Sequence, residues 1–232
     1  MTADAHSFTL AGAHGLLLPT GALFLPSEGL LCVSDLHLGK SERQARRRGA
    51  LLPPYETRAT LDRLAQDLAA TRAATVIALG DSFADAAAAD ALDAGDRAAL
   101  AGLMAGRRWL WVEGNHEGGP TALPGEHHKE WTLGGLTFRH EAREGAPPGE
   151  VSGHWHPKHG LPGFGERRRC FLLDARRLVM PAYGAYTGGL DATHPALRGL
   201  LGDRALAVLT GAKAMPVPLP PARSVPRAAR RA

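Results

Sequence analysis

LLCVSDLH (30–37), TVIALGD (75–81) and WLWVEGNH (109–116) share one pattern: an apolar run that ends abruptly in an acid, an amide or a histidine. Short, continuous apolar runs bounded by turn residues read as buried strands. Between the first two, Pro53–Thr71 places Leu61, Leu64 and Leu68 on one helical face, with Arg58, Asp62, Arg63 and Gln66 elsewhere. Asp96–Ala105 reads as a second helix before the third strand. The first half is therefore βαβαβ. Beyond it, Leu133–His140, Glu150–Ser152, Cys170–Leu173 and Leu178–Pro181 read as short strands separated by Gly and Pro turns. A βαβαβ half followed by a strand-rich half predicts an α/β fold of two packed sheets flanked by helices.

The polar residues at the strand ends carry the chemistry. Ligands of open α/β sheets gather at the carboxyl ends of strands, so Asp35 with His37, Asp81, and Asn115 with His116 should converge on one crevice. Asp35 and His37 lie two apart, which on extended chain puts both on one face. The second half adds His140 after GLTFR and the pair His154 and His156 in GHWH, again at i, i+2. Carboxylates, imidazoles and one amide suit Mn²⁺, Fe²⁺ or Zn²⁺. Asp35, His37, Asp81, Asn115, His140, His154 and His156 exceed the donor count of one site, so two metals are implied, with one carboxylate bridging. Gly80, Gly114 and Gly153 each precede a ligand, where the chain must turn and a substrate approach its backbone. Singly, an Asp-x-His or a Gly-Asp is no more than a turn with a polar cap; in this order, each behind a strand, they form a site.

Composition sets the limits. The chain has 232 residues, 44% hydrophobic and 22% charged, enough for one soluble domain with a sizeable core. Nothing in it approaches the ~20 consecutive apolar residues of a membrane span, and MTADAHSFTL lacks the pattern of a signal peptide. Cys32 and Cys170 read as buried free thiols, which predicts a cytoplasmic location. The net charge of +4 resides in PVPLPPARSVPRAARRA (216–232), with four arginines and no acid, which leaves the rest formally neutral. Residues 213–232 accordingly read as a disordered Pro/Arg-rich tail after a domain over 1–212.

At the strand-end residues the chain resembles the calcineurin-like metallophosphoesterases over roughly residues 8–211. That resemblance implies a four-layer α/β/β/α metallophosphoesterase sandwich with a binuclear centre. By position, Asp35, His37 and His156 would hold one metal, Asn115, His140 and His154 the other, and Asp81 would bridge. His116 matches the catalytic histidine, which is not a ligand. SDLHLGK (34–40), LPPYETRATL (52–61) and PAYGAYTGGL (181–190) resemble a narrower bacterial group, the ligase-associated DNA-damage-response endonucleases (PdeM). Ala84 and Glu117 depart from it, where histidine and aspartate are commoner.

The chemistry so implied is phosphodiester hydrolysis. Two divalent cations about 3.5–4 Å apart yield a bridging hydroxide at neutral pH for in-line attack on phosphorus. His116 would stabilise developing charge or protonate the leaving alkoxide. Asp35 or Asp85 could orient a histidine, although Asp85 reads first as a helix N-cap before Ala86–Ala89.

Lys40, Arg43, Arg46, Arg47 and Arg48 follow directly on the first ligand motif and form a candidate phosphate-backbone footprint; the plain alternative is a solvated helix face. Arg167–Arg169 and Arg176–Arg177 would extend it. Trp155 would either stack on a base or pack beneath the site. The expected function is a DNA endonuclease of damage response, with a DNA partner and, by resemblance alone, a ligase or helicase. The alternatives are a small-molecule phosphodiesterase or a nucleotide or lipid-precursor pyrophosphatase, and a metal-free scaffold. The last would have lost ligands, and none is lost here.

Overall fold

The computed structural model describes residues 2–49, 53–116, 123–160 and 165–221, with the side chains of Thr2 and Arg48 outside the description. Its first sheet begins with an antiparallel meander, β1 (His6–Leu10), β2 (Ala13–Leu17), β3 (Leu23–Leu25) and β4 (Leu30–Ser34). It continues in parallel through β5 (Thr75–Leu79), β6 (Arg108–Val112) and β7 (Glu126–His128). The order is β1-β2-β3-β4-β5-β6-β7.

The second sheet holds β8 (Glu130–Leu133), β9 (Leu136–Arg139), β10 (Glu150–Ser152), β12 (Arg167–Leu173), β13 (Arg177–Val179), β14 (Leu206–Leu209) and β15 (Met215–Pro218). Its order is β15-β14-β12-β13-β10-β9-β8, and β11 (Lys158–Gly160) pairs with β12 off that path. The strand expected over Leu133–His140 is a hairpin instead: Gly134 and Gly135 both take positive φ and turn β8 into β9.

The helices are α1 (Lys40–Arg48), α2 (Glu56–Thr71), α3 (Ala86–Ala91), α4 (Ala94–Met104) and α5 (Pro195–Leu200). α2 buries Leu61, Leu64 and Leu68 as its periodicity predicts, and ends at Arg72, whose N–H donates to Leu68 O. α4 starts two residues before the expected Asp96 because the Asp93 carboxylate accepts from Asp96 N at 2.8 Å.

Alternation along the strands sorts the core. Cys32, Ile77 and Leu110 of the first sheet meet Phe138, Val151, Phe171 and Leu178 of the second. Leu31, Val33, Val76 and Trp109, on the opposite face, pack with Leu61, Leu64 and Leu68 of α2 and Leu100 of α4. Cys170, Leu172 and Val179 pack with Leu197 of α5. The fold is α/β, built on two large mixed sheets. Cys32 and Cys170 are both free and buried. Among the described residues no helix is long and apolar enough to cross a membrane.

The tail boundary moves. Residues 215–218, assigned to a disordered tail on composition, pair with β14 as an edge strand, and Leu219 is buried in the core around α5. Pro216 and Pro218 occupy alternate, outward positions on that edge, where a missing N–H costs no ladder bond. The folded body therefore reaches at least residue 221; 222–232 lie outside the described residues.

Candidate metal centre

β4, β5 and β6 run in parallel register, so Ser34, Leu79 and Val112 end side by side. The loops beyond them are knitted together: Asp35 N donates to Gly80 O at 3.2 Å, His37 N to Asp81 O at 2.9 Å, and Gly80 N to Val112 O at 2.9 Å. From the second sheet, β9 delivers His140 and β10 delivers His154, with Gly153 N donating to His140 O at 2.9 Å.

Two groups of donors result. Asp35, His37 and His156 offer atoms within 4.8 Å of one another, and so do Asp81, His140 and His154. In the first, His37 Nε2 lies 3.2 Å from His156 Nε2, which lies 3.2 Å from Asp35 Oδ1. In the second, His140 Nε2 lies 3.1 Å from His154 Nδ1 and 3.4 Å from Asp81 Oδ2. Asn115 Oδ1 sits 3.0 Å from His140 Nε2.

The donor chemistry fits a cation in each group. Two imidazole nitrogens facing each other need either a proton or a cation between them. Asn115 makes the same point: its Oδ1 faces only lone-pair-bearing atoms. Turning the amide would instead let its nitrogen donate to Asp81 at 3.0 and 3.2 Å and to His140 at 3.0 Å. The arrangement fits a dinuclear site.

The backbone departs from what the spacing predicts. Asp35, His37, Asp81, His154 and His156 all have positive φ, between 44 and 68°. An i, i+2 pair on extended chain is therefore not what unites Asp35 with His37; left-handed turns are. His154 and His156 are not on one face either, since each serves a different group. Non-glycine residues in this region cost about 1–3 kcal/mol each and cluster at functional sites.

The glycines have a reason the spacing did not supply: side chains of the donor groups crowd them. A Cβ at Gly80 would overlap the His140 ring, one at Gly114 the main-chain N and carboxylate of Asp81, and one at Gly153 Ser34 Oγ and the Asp35 carboxylate.

Burial alone would raise the Asp35 and Asp81 carboxyls. Asp35 is held below its ordinary value by the hydrogen bond and charge of His156, the charge of His140, and Ser34 Oγ at 2.5 Å. Asp81 is held well below its ordinary value by His140 and the His116 main-chain N–H. Burial pushes the His37 imidazole down to about 4 and lowers His154 as well, with His140 adding to the latter. Ionised carboxylates at Asp35 and Asp81, and imidazoles at His37 and His154 that resist protonation, are what metal binding requires of these four donors.

The chain is similar to a Pseudomonas putida nuclease. The crystal structure of that protein, nuclease MPE, matches at a TM-score of 0.74 and 26% identity, covering 92% of this chain and 100% of the other. No family model matches the chain, and no curated protein does.

His116 stands apart from the buried donors. Its side chain is 38% exposed, with Nε2 3.7 Å from Asp81 Oδ2 and its ring edge-on to His37. Trp155 packs against the core around α5, with its ring edge-on to His154 at 5.2 Å.

The basic residues are less free than the sequence suggests. Asp85 caps α3 through Ala88 N at 3.0 Å, and its carboxylate also gathers Arg43, Arg46 and Arg47 at 3.6, 3.0 and 3.4 Å. Arg46 pairs with Glu42 as well. The side chain of Arg48, like Glu117, lies outside the described residues. Arg177 is buried against Glu150, and Arg169 donates to the carbonyls of Tyr183 and Gly184, so neither extends an open footprint. Exposed Arg167 pairs with Asp191, and Arg176 donates to Ala146 O.

Sequence reading assigned no role to Ser34, whose hydroxyl bonds both Asp35 and Leu79 O. Nor did it connect 52–61 with 181–190. Thr60 Oγ1 accepts from Ala185 N at 3.0 Å, Arg63 donates to Tyr183 O, and Asp67 accepts from the Tyr183 hydroxyl at 2.8 Å. These three residues of α2 tie that helix to residues 183–185.

Proposed function

We propose that the protein is a binuclear-metal-dependent phosphodiesterase that cuts DNA. The observation that carries this reading is the pair of three-residue donor groups meeting at the common end of two sheets. Asp35, His37 and His156 would hold one cation, Asn115, His140 and His154 the other, with Asp81 shared. Mn²⁺ is the proposed metal, ahead of Fe²⁺ or Zn²⁺, because the donors mix hard oxygens with imidazoles. Bound divalent cations supply Lewis acidity, neutralising phosphoryl oxygens and bringing the pKa of water towards neutrality.

The chain's own residues do the rest. His116 is exposed, sits at the edge of the donor groups and carries a ring nitrogen able to give a proton to the departing oxygen. The main-chain N–H groups of His116 and His154 hold the Asp81 and Asp35 carboxylates in place. The finer fold reading, a four-layer α/β/β/α sandwich, is supported by the three core clusters, one between the sheets and one against each helical side. A role in DNA damage response, a ligase or helicase partner and a cytoplasmic location rest on the resemblance of 34–40, 52–61 and 181–190.

One observation favours a second reading. Asp85 and Glu42 offset much of the charge on α1, which weakens the case for a DNA-backbone footprint and favours a small diester substrate. Parallel rates on plasmid DNA, bis-p-nitrophenyl phosphate and p-nitrophenyl phosphate, with Mn²⁺ and with chelator, separate the two. Nicking of plasmid that chelator abolishes supports the nuclease; hydrolysis of the aryl diester with intact plasmid overturns it in favour of the second.

A further inference from the structure

Tyr186 and Tyr55 are the large apolar side chains left exposed among the described residues, and Tyr186 lies in the loop whose ends, Gly184 and Gly189, meet the main chain of Asp35 and His156. It is 47% exposed and has φ of 55°, a left-handed conformation that is unfavourable for any residue with a Cβ. An exposed ring at a strained position contributes little packing to offset that strain.

The segment around it is stitched to both chain stretches that carry the first donor group. On one side Tyr183 N donates to Ser34 O at 2.7 Å and Gly184 N to Asp35 O at 3.1 Å. On the other, Leu190 N donates to Trp155 O at 3.4 Å, and Gly189 lies so close to the His156 carbonyl that a Cβ there would overlap it. Thr60, Arg63 and Arg169 hold residues 183–185 from below. Lys40 Nζ donates to Tyr186 O at 2.9 Å and Lys158 Nζ to Thr187 O at 3.2 Å. The loop is thus a fixed bridge between Asp35 and His156, carrying one exposed aromatic residue whose own carbonyl and the next are each held by an ammonium group.

We propose that Tyr186 is a stacking platform for a nucleobase adjoining the phosphate to be cut, with Lys40 and Lys158 beside it to face the backbone. This rests on the nuclease reading above and adds to it a residue that recognises the base rather than the phosphate. A ring face stacks on any base, so such a contact gives grip without sequence preference. The ammonium groups each have donors beyond the single carbonyl they serve here.

The test uses a single-stranded oligonucleotide and its abasic counterpart of equal length and charge. Binding is read by fluorescence anisotropy in chelator, and cleavage by steady-state kinetics with Mn²⁺. Tyr186→Gly is expected to weaken binding and raise KM on the base-bearing strand about tenfold, with a much smaller change on the abasic one. Tyr186→Phe and Tyr186→Trp should restore both. Tyr186→Gly should melt at or above the parent, because glycine is at ease at this φ. Equal losses on both strands would make Tyr186 a structural residue and overturn the platform. So would a Tyr186→Gly protein that binds and cuts the base-bearing strand like the parent, with the nuclease reading left standing. A parent that nicks plasmid yet neither binds nor cuts either oligonucleotide overturns the platform alone; one that hydrolyses the aryl diester yet cuts neither oligonucleotide nor plasmid overturns both.

Discussion

The main-chain N–H of His154 donates to the Asp35 carboxylate at 3.0 Å, across 119 residues, and so joins the two donor groups directly. The same Oδ2 receives the Ser34 hydroxyl, while Oδ1 faces His156. The spacing of the two groups is therefore set by a protein hydrogen bond, and Gly153 makes it attainable by letting the chain pass against Ser34 and Asp35.

Gly153→Ala should accordingly disturb the centre although its own φ is not in the left-handed region. The added methyl must displace Ser34 and Asp35, at an overpacking cost of about 1–3 kcal/mol. Thermal melting should fall and metal content drop below that of the parent. A variant matching the parent in both would show that the loop yields freely.

Metal dependence should be complete. Hydrolysis should vanish in chelator, return with Mn²⁺, and accompany two ions per chain by elemental analysis. Asp81→Ala should reduce the content of both ions, as expected of a shared carboxylate. One tight ion, indifferent to Asp81→Ala, would rule out a bridged pair.

His116→Ala separates catalyst from ligand. Exposed and outside both donor groups, His116 should be dispensable for metal content, while turnover falls by about 10²–10⁴. His154→Ala and Asn115→Ala should lose metal as well as turnover. An emptied site in His116→Ala would reverse the assignment.

The arginines on α1 can be tested through their common partner. Asp85→Asn keeps a capping side chain for α3 but removes the carboxylate that Arg43, Arg46 and Arg47 share. The log–log salt slope of DNA binding should steepen, whereas Arg46→Ala with Arg47→Ala should flatten it by about 0.9 for each phosphate no longer neutralised. Identical slopes in all three proteins would mark α1 as a solvated face.

Two truncations distinguish the tail from the body. Deleting 222–232 removes four arginines and leaves β15 and Leu219 in place, so the salt slope should flatten and melting should hold. Deleting from 216 also removes most of β15 and Leu219, whose burial alone is worth about 1.5–3 kcal/mol. Melting should then fall. Equal melting temperatures would mean that β15 contributes nothing to the fold.

The strands that carry the donors, and the order of the polar residues at their ends, are legible in local pattern. Thr75–Leu79 and Glu150–Ser152 are legible because a short apolar run between turn residues has few alternatives. Asp35, His37, Asp81, Asn115, His140, His154 and His156 could be picked out because each stands where such a run stops. Tertiary structure alone decided how they meet. The left-handed turns at five of these residues, the His154–Asp35 bond and the crowding of glycines by ligand side chains all follow from the meeting of distant segments. Composition likewise misread Met215–Pro218, since a proline-rich stretch becomes a strand only when an edge is present to receive it. Charge counting could not see the partner of the α1 arginines, because the carboxylate that gathers them lies 39 residues from Arg46 in sequence and 3.0 Å away in space. Local pattern reports what a residue prefers; which partner it meets depends on chain closure, and that is written in no single window of sequence.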